Sequence, residues 1–173
     1  MIRILSASFA FLTVLFLAGC ASAVPEPEPA VEQAKAMIRE GRAECVLVRD
    51  GRIVCIERGR GVSPLLSVYE KHRDAMNGAV VVDKVIGRAA AAIAICGRAS
   101  HVYGEIMSED AEDFLRTNGI SSSCGLKVHR ILNRKRDGLC PLEQSVLDHS
   151  DPEKALAALK IRVAELSAGK PKP

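Results

Sequence analysis

Residues 79–82 read Ala-Val-Val-Val, and this unbroken apolar run narrows the fold more than any other stretch. A strand with one wet face alternates apolar and polar residues, whereas a continuous run needs cover on both faces. The run leads into Asp83-Lys84-Val85-Ile86-Gly87-Arg88 and four alanines, residues 89–92. Asp83 is expected to cap a helix that starts at Lys84 and ends at Ile95 or Cys96. Gly87 and the alanines would let that helix lie close to the sheet. A two-faced strand feeding a crossover helix is the unit of an α/β fold.

The flanking segments support this reading. Residues 30–42 carry Val31, Ala34, Met37 and Ile38 at helical spacing and end at Gly41. Residues 44–49 and 52–57 form a hairpin around Asp50-Gly51, a strong two-residue turn signal. With that turn in type I′ geometry, Arg49 faces Arg52 and Cys55 faces Val46, which puts Cys45 on the opposite face and argues against a Cys45–Cys55 bridge. Ser63-Pro64 opens a helix as N-cap and first helical residue, ending near Asn77-Gly78. Residues 99–103 form a strand, and Ser108 caps a helix over 109–117 closed by Asn118-Gly119. Residues 122–128 form a weaker strand, 130–139 a charged loop and 141–147 a short helix. Ser150-Asp151-Pro152-Glu153 is a capping box that opens a last helix to Leu166. The order α-β-β-α-β-α-β-α-β-α-α predicts a three-layer α/β/α sandwich on a mixed five-stranded sheet.

The N-terminus supplies an address. Arg3 precedes an apolar stretch from Ile4 to Leu17, too short to span a bilayer, which needs about 20 residues. Leu17-Ala18-Gly19-Cys20 resembles the lipobox of bacterial lipoproteins, in which a signal peptidase cuts before a cysteine that becomes acylated. The expected organisation is a signal peptide over 1–19 and lipidated Cys20 with a Pro/Glu-rich tether over 20–32. A single domain over 33–168 and a short tail over 169–173 would follow. Ala21 after the cysteine implies the outer membrane, with the domain facing the periplasm. The domain's length, about 135 residues, suits one core.

The formal charge is +3, and +2 once Arg3 leaves with the leader. That balance, with no Trp, four Phe and two Tyr, argues against a nucleic-acid partner. Five cysteines remain beside Cys20: Cys45, Cys55, Cys96, Cys124 and Cys140. The number is odd, so at least one stays free or pairs between molecules.

Three stretches, Arg60-Gly61-Val62-Ser63-Pro64-Leu65-Leu66, Asp83-Lys84-Val85-Ile86-Gly87-Arg88-Ala89-Ala90-Ala91, and Ile131-Leu132-Asn133-Arg134 with Asp137-Gly138-Leu139-Cys140-Pro141-Leu142-Glu143, together resemble a bacterial and archaeal family, domain of unknown function 1893. The resemblance covers about residues 33 to 160. It implies a cytidine-deaminase-like fold and supplies no reaction. Zinc deaminases carry His or Cys, then Glu two residues on, at one helix start and Pro-Cys-x-x-Cys at the next. The first place here holds Asp83-Lys84-Val85-Ile86 and the second Ser108-Glu109-Asp110-Ala111. Neither offers a thiolate or imidazole, so no metal and no cofactor is expected at that centre.

Candidate chemistry gathers at three places. Cys140 precedes Pro141 at a helix start, where a thiol is activated by the dipole and free N–H groups. Glu143 could close a capping box back onto it. Alternatively Cys140 is a buried small residue or pairs with Cys124. Asp83, Lys84, Gly87 and Arg88 occupy the strand-to-helix junction where α/β sheets bind ligands and helix N-termini favour anions. The run Asn133-Arg134-Lys135-Arg136-Asp137 offers phosphate-binding cations or a solvated loop. Arg58 and Arg60 offer the same two alternatives, and His101 is expected to be a satisfied strand histidine. The leading expectation is a zinc-free module for a small anionic or nucleoside-like ligand. A thiol-dependent enzyme using Cys140 and an envelope scaffold are the alternatives.

Overall fold

The computed structural model describes residues 28–169. The expected signal peptide, Cys20, most of the expected tether and residues 170–173 lie outside the described residues. A five-stranded mixed sheet runs in the order β2-β1-β3-β4-β5. The strands are β1 (Cys45–Arg49), β2 (Arg52–Glu57), β3 (Val80–Ile86), β4 (His101–Ser108) and β5 (Ser121–Val128). β1 is antiparallel to β2 and β3, while β3, β4 and β5 run parallel.

Helix α1 (Pro29–Arg39) covers one face, where Ala34, Met37 and Ile38 pack on Val46, Val48, Val82 and Tyr103. It takes in residues 29–32, the end of the expected tether. The other face carries α2 (Ser63–Lys71), α3 (Arg73–Met76), α4 (Arg88–Cys96) and α5 (Glu109–Thr117). Beyond them lie α6 (Pro141–Gln144) and α7 (Pro152–Ala168). Residues 89–94 of α4 are all buried. A helix wrapped on every side must be apolar all round, and the alanines let α4 sit between the sheet, α5 and α7. The three-layer α/β architecture is thus present. No helix of the described residues is long and apolar enough to cross a membrane.

Several local expectations change. The helix after the apolar run begins at Arg88 with Gly87 as N-cap, not at Lys84. Asp83 does not cap it: its Oδ1 accepts from the Val85 N–H at 3.0 Å, a turn inside the strand. Parallel pairing with β4 then continues to Ile86 opposite Met107. Sheet hydrogen bonds, invisible to local propensity, decide the boundary.

In the hairpin, Asp50 (φ 52°) and Gly51 (φ 70°) adopt the expected turn, and Arg49 faces Arg52. A bulge then shifts the register, so Cys55 faces Leu47 rather than Val46. An extra residue on one strand inverts the faces beyond it. Cys45 and Cys55 therefore share a face, and all five cysteines of the described residues are free thiols.

Ser63 lies within α2 and makes no cap hydrogen bond, and that helix breaks at His72 instead of reaching Asn77. Ser108 does cap α5, accepting from the Ala111 N–H. The last helix is capped by Asp151, not by a Ser150 box: its Oδ1 accepts from Glu153 and Lys154 N–H groups at 2.8 and 3.0 Å. The charged loop folds back on itself through a Leu132–Leu139 bridge, forming a flap over the C-terminal ends of the parallel strands.

Candidate functional site

The flap closes over the junction of β3 and α4, and four of the expected site residues meet there. Asp83, Gly87, Cys140 and Glu143 line one cavity of about 80 Å³, with Leu65, Ile131 and Leu142 as apolar walls. Cys140 is the N-cap residue of α6, as expected, and its N–H donates to the Ile131 carbonyl at the base of the flap. α6 is only four residues long and the Cys140 side chain makes no cap hydrogen bond.

Glu143 does not close a box onto Cys140. Its carboxylate crosses to α4, where Oε2 accepts from the Arg88 N–H at 2.7 Å and Oε1 from the Ala89 N–H at 3.1 Å. The first N–H groups of a helix lack partners within it and attract anions. Glu143 thus occupies the position expected for an anionic ligand. Gly87 makes this approach possible: a Cβ there would lie 2.5 Å from Glu143 Cδ. Its φ of −100° is open to any residue, so close approach, not backbone conformation, calls for glycine.

Both carboxylates are buried. Burial pushes Asp83 up to about 7, against the opposing pull of the Val85 N–H and the Cys45 thiol. Burial also raises Glu143, although the Ala89 and Arg88 N–H groups hold it down. The Cys45 thiol, fully buried, is pushed well up by burial and then by Asp83.

A group whose folded pKa is raised holds its proton more tightly when folded. Between the unfolded value of 3.8 and about 7, the unfolded chain binds fewer protons at Asp83. Stability from this group is therefore fully present below the unfolded value and is lost as pH rises toward the folded one. Asp83→Asn removes that dependence. Urea midpoints measured from pH 4 to pH 8 should diverge in the variant's favour as pH rises, with a ceiling of about 4 kcal/mol. A constant offset across that range would refute the raised pKa.

The remaining expected residues lie elsewhere. Arg88 turns away from the cavity and stacks on Phe114 with its guanidinium carbon 4.0 Å from the ring centre. It donates to Asp110 Oδ1 at 2.8 Å, the His149 carbonyl at 2.8 Å and the Val146 carbonyl at 3.3 Å. Lys84 is exposed, 3.1 Å from Glu44 Oε1, in an open groove shared with Arg60 and Arg134. Asn133 and Asp137 bond each other across the flap, Nδ2 to Oδ1 at 2.7 Å, and hold its turn together. His101 is satisfied on both ring nitrogens by Ser121 and Ser123 at 2.8 Å.

A second cavity of about 380 Å³ adjoins the first, sharing Ile131 and Glu143 as wall. It adds Glu109, Asp110 and Asp113 from α5, and His129 and Arg130 from the flap. Asp110 Oδ2 is buried beside it without a hydrogen-bond partner among the described residues. Reading the sequence missed these residues. The acidic first turn of α5 was visible, but acids there suit any helix N-terminus.

The donor set does not fit a deaminase zinc centre. Around the smaller cavity the only sulfur is Cys140, no imidazole is present, and Glu143 is held by backbone N–H groups.

The family model for the domain of unknown function DUF1893 matches residues 33–162. The chain belongs to the DUF1893 family. A DUF1893 family protein from Thermotoga maritima superposes with a TM-score of 0.69 at 22% identity, covering 80% of this chain and 91% of that one. This likeness shows the fold. RibD from Acinetobacter baumannii gives a TM-score of 0.41 at 14% identity over 54% of this chain and 33% of that one. A diaminohydroxyphosphoribosylaminopyrimidine deaminase/5-amino-6-(5-phosphoribosylamino)uracil reductase from Thermotoga maritima gives 0.41 at 18% over 68% and 40%. The chain spans less than half the length of each of these two. No curated protein matches.

Proposed function

We propose that this DUF1893 domain is a binding module of cytidine-deaminase-like shape without zinc at the β3–α4 cleft, and that its ligand is a small nucleoside-like heterocycle bearing an exocyclic or cationic amine. The observation that carries this reading is the unpartnered, buried Asp110 Oδ2 at a cavity of about 380 Å³. A buried acceptor without a donor costs about 1–3 kcal/mol, which a ligand N–H would recover once the Asp110 carboxylate turns that oxygen into the cavity. The volume falls in the range of small-molecule sites, about 300–1,000 Å³. The smaller cavity is too tight for a heterocycle and suits one reaching substituent.

The chemistry of the walls favours a donor over the anion expected from the sequence. Glu109, Asp110, Asp113 and Glu143 outnumber Arg130 and His129 in the wall; Glu109 pairs with His129, Asp110 with Arg88 and Asp113 with Arg116, and Glu143 already satisfies the α4 N-terminus, which leaves Asp110 Oδ2 as the acceptor without a donor among the described residues. Thermal-shift measurements with nucleosides, free bases and inorganic phosphate test this. Amine-bearing bases should raise Tm, phosphate should not, and Asp110→Asn should abolish the rise. A panel without any shift, or a shift that survives Asp110→Asn, would sink the reading.

We also propose that the domain rides on an acylated Cys20 in the bacterial envelope, on the strength of the Leu17-Ala18-Gly19-Cys20 motif. Cys20→Ala should move the protein from the membrane to the soluble fraction, and mass spectrometry should find acyl chains on residue 20 of the native form. An unmodified residue 20 would end this part of the proposal.

A further inference from the structure

Cys55, Glu57 and His72 lie together on the side of the sheet covered by α2 and belong to the lining of neither cavity described above. One donor atom from each falls within 4.8 Å of the other two. We propose that these three residues form a zinc site at the β2 edge of the sheet.

The bulge in the hairpin builds it. In unbroken register Cys55 would face Val46, on the side covered by α1. The bulge sets it opposite Leu47 and sets Glu57 opposite Cys45, so both point to the side where α2 packs. Bulges commonly re-aim side chains in this way next to functional sites. His72 arrives from the other direction. It is the residue at which α2 ends and α3 begins, with φ −134° and ψ 36°, and this break brings its ring to the two β2 side chains.

Charge and bonding leave the cluster open to a cation. Among the described residues, neither Glu57 nor His72 has a side-chain hydrogen bond or ion pair, although the chain is rich in arginine and the other surface acids mostly find partners. Cys55 is half-buried, so an ion held there is partly shielded from water. Thiol, imidazole and carboxylate together form a borderline-soft set that suits zinc and disfavours magnesium or calcium.

Tetrahedral zinc at ordinary bond lengths places its donors about 3.3–3.6 Å apart. The donors lie within 4.8 Å of one another, so the cluster contracts by at most about 1.5 Å, within the rotamer freedom of the exposed His72. On binding, the Cys55 S–H bond breaks, its electron pair forms the zinc–sulfur bond and the proton passes to solvent. Three protein donors leave the fourth position to water, as in open zinc sites.

Cobalt(II) is the probe. Titrated into the reduced, chelator-treated full-length chain, it should bind one equivalent and give a thiolate-to-cobalt charge-transfer band that zinc displaces. Cys55→Ser should remove the band. His72→Gln, a change at an exposed position, should weaken uptake by about 100-fold or more, since losing even an outer partner of a zinc ligand costs about 10–100-fold. Cys140→Ser should leave both unchanged. Circular dichroism establishes that each variant is folded, and His72→Gln carries the test if Cys55→Ser is not. Absence of stoichiometric binding overturns the proposal. So does a band that survives Cys55→Ser, or uptake that His72→Gln leaves unchanged. Loss of the band in Cys140→Ser instead would assign the ion to the cleft and would equally overturn it.

Discussion

Gly87→Ala is expected to destabilise the domain by about 2–4 kcal/mol, and to cost much less when Glu143 is also alanine. The added methyl would sit 2.6 Å from Glu143 Oε2, inside van der Waals contact. The carboxylate has little room to retreat: it is 6% exposed and held by two backbone N–H groups. Displacing it leaves the Arg88 and Ala89 donors at the start of a buried helix without an acceptor, and such groups cost about 1–3 kcal/mol each. Glu143→Ala alone removes the same acceptor and should cost about 2–4 kcal/mol. In the double variant the new methyl enters the space the carboxylate has vacated. The two losses should therefore fall short of additivity by about 1–2 kcal/mol in urea unfolding. Additive losses would mean that Gly87 matters for some reason other than room for Glu143.

Arg88 carries the second large effect. Its side chain is 12% exposed and joins α4 to α5 and to the segment between α6 and α7. Arg88→Ala should cost about 3–4 kcal/mol, or about 10 °C in Tm for a domain of this size. Little of that comes from the ion pair itself, because Asp110 is 42% exposed and water screens the charge. Most comes from the stacked Phe114 ring and from carbonyls of Val146 and His149 left without donors. Arg88→Lys keeps the charge and loses the planar fork, which an ammonium cannot reproduce. It should recover less than half of the lost stability. Full recovery in calorimetry by lysine would show that charge alone matters there.

The same residues show how far local sequence reaches. The element order was legible, and Asp83, Gly87, Cys140 and Glu143 stood out at the ends of elements, as two separate places that one cavity joins. Their partners were not. Glu143 is three residues from Cys140 and 55 from Arg88, and sequence spacing favours the near partner. Arg88 has the sequence position of a ligand contact, because nothing local marks the ring and carbonyls that engage it. Asp110 looked like any acid in a first helical turn.

Sequence alone determined the alternation of strands and helices, the hairpin turn at Asp50-Gly51, the cap at Ser108 and the need for cover on both faces of residues 79–82. These follow from side-chain size, periodicity and backbone preference over a few residues. Tertiary structure alone decided where β3 stops, which face Cys55 presents and whose helix Glu143 caps. Each depends on a hydrogen bond or register between segments far apart in the chain, and such a pairing adds its energy only once both sides have folded.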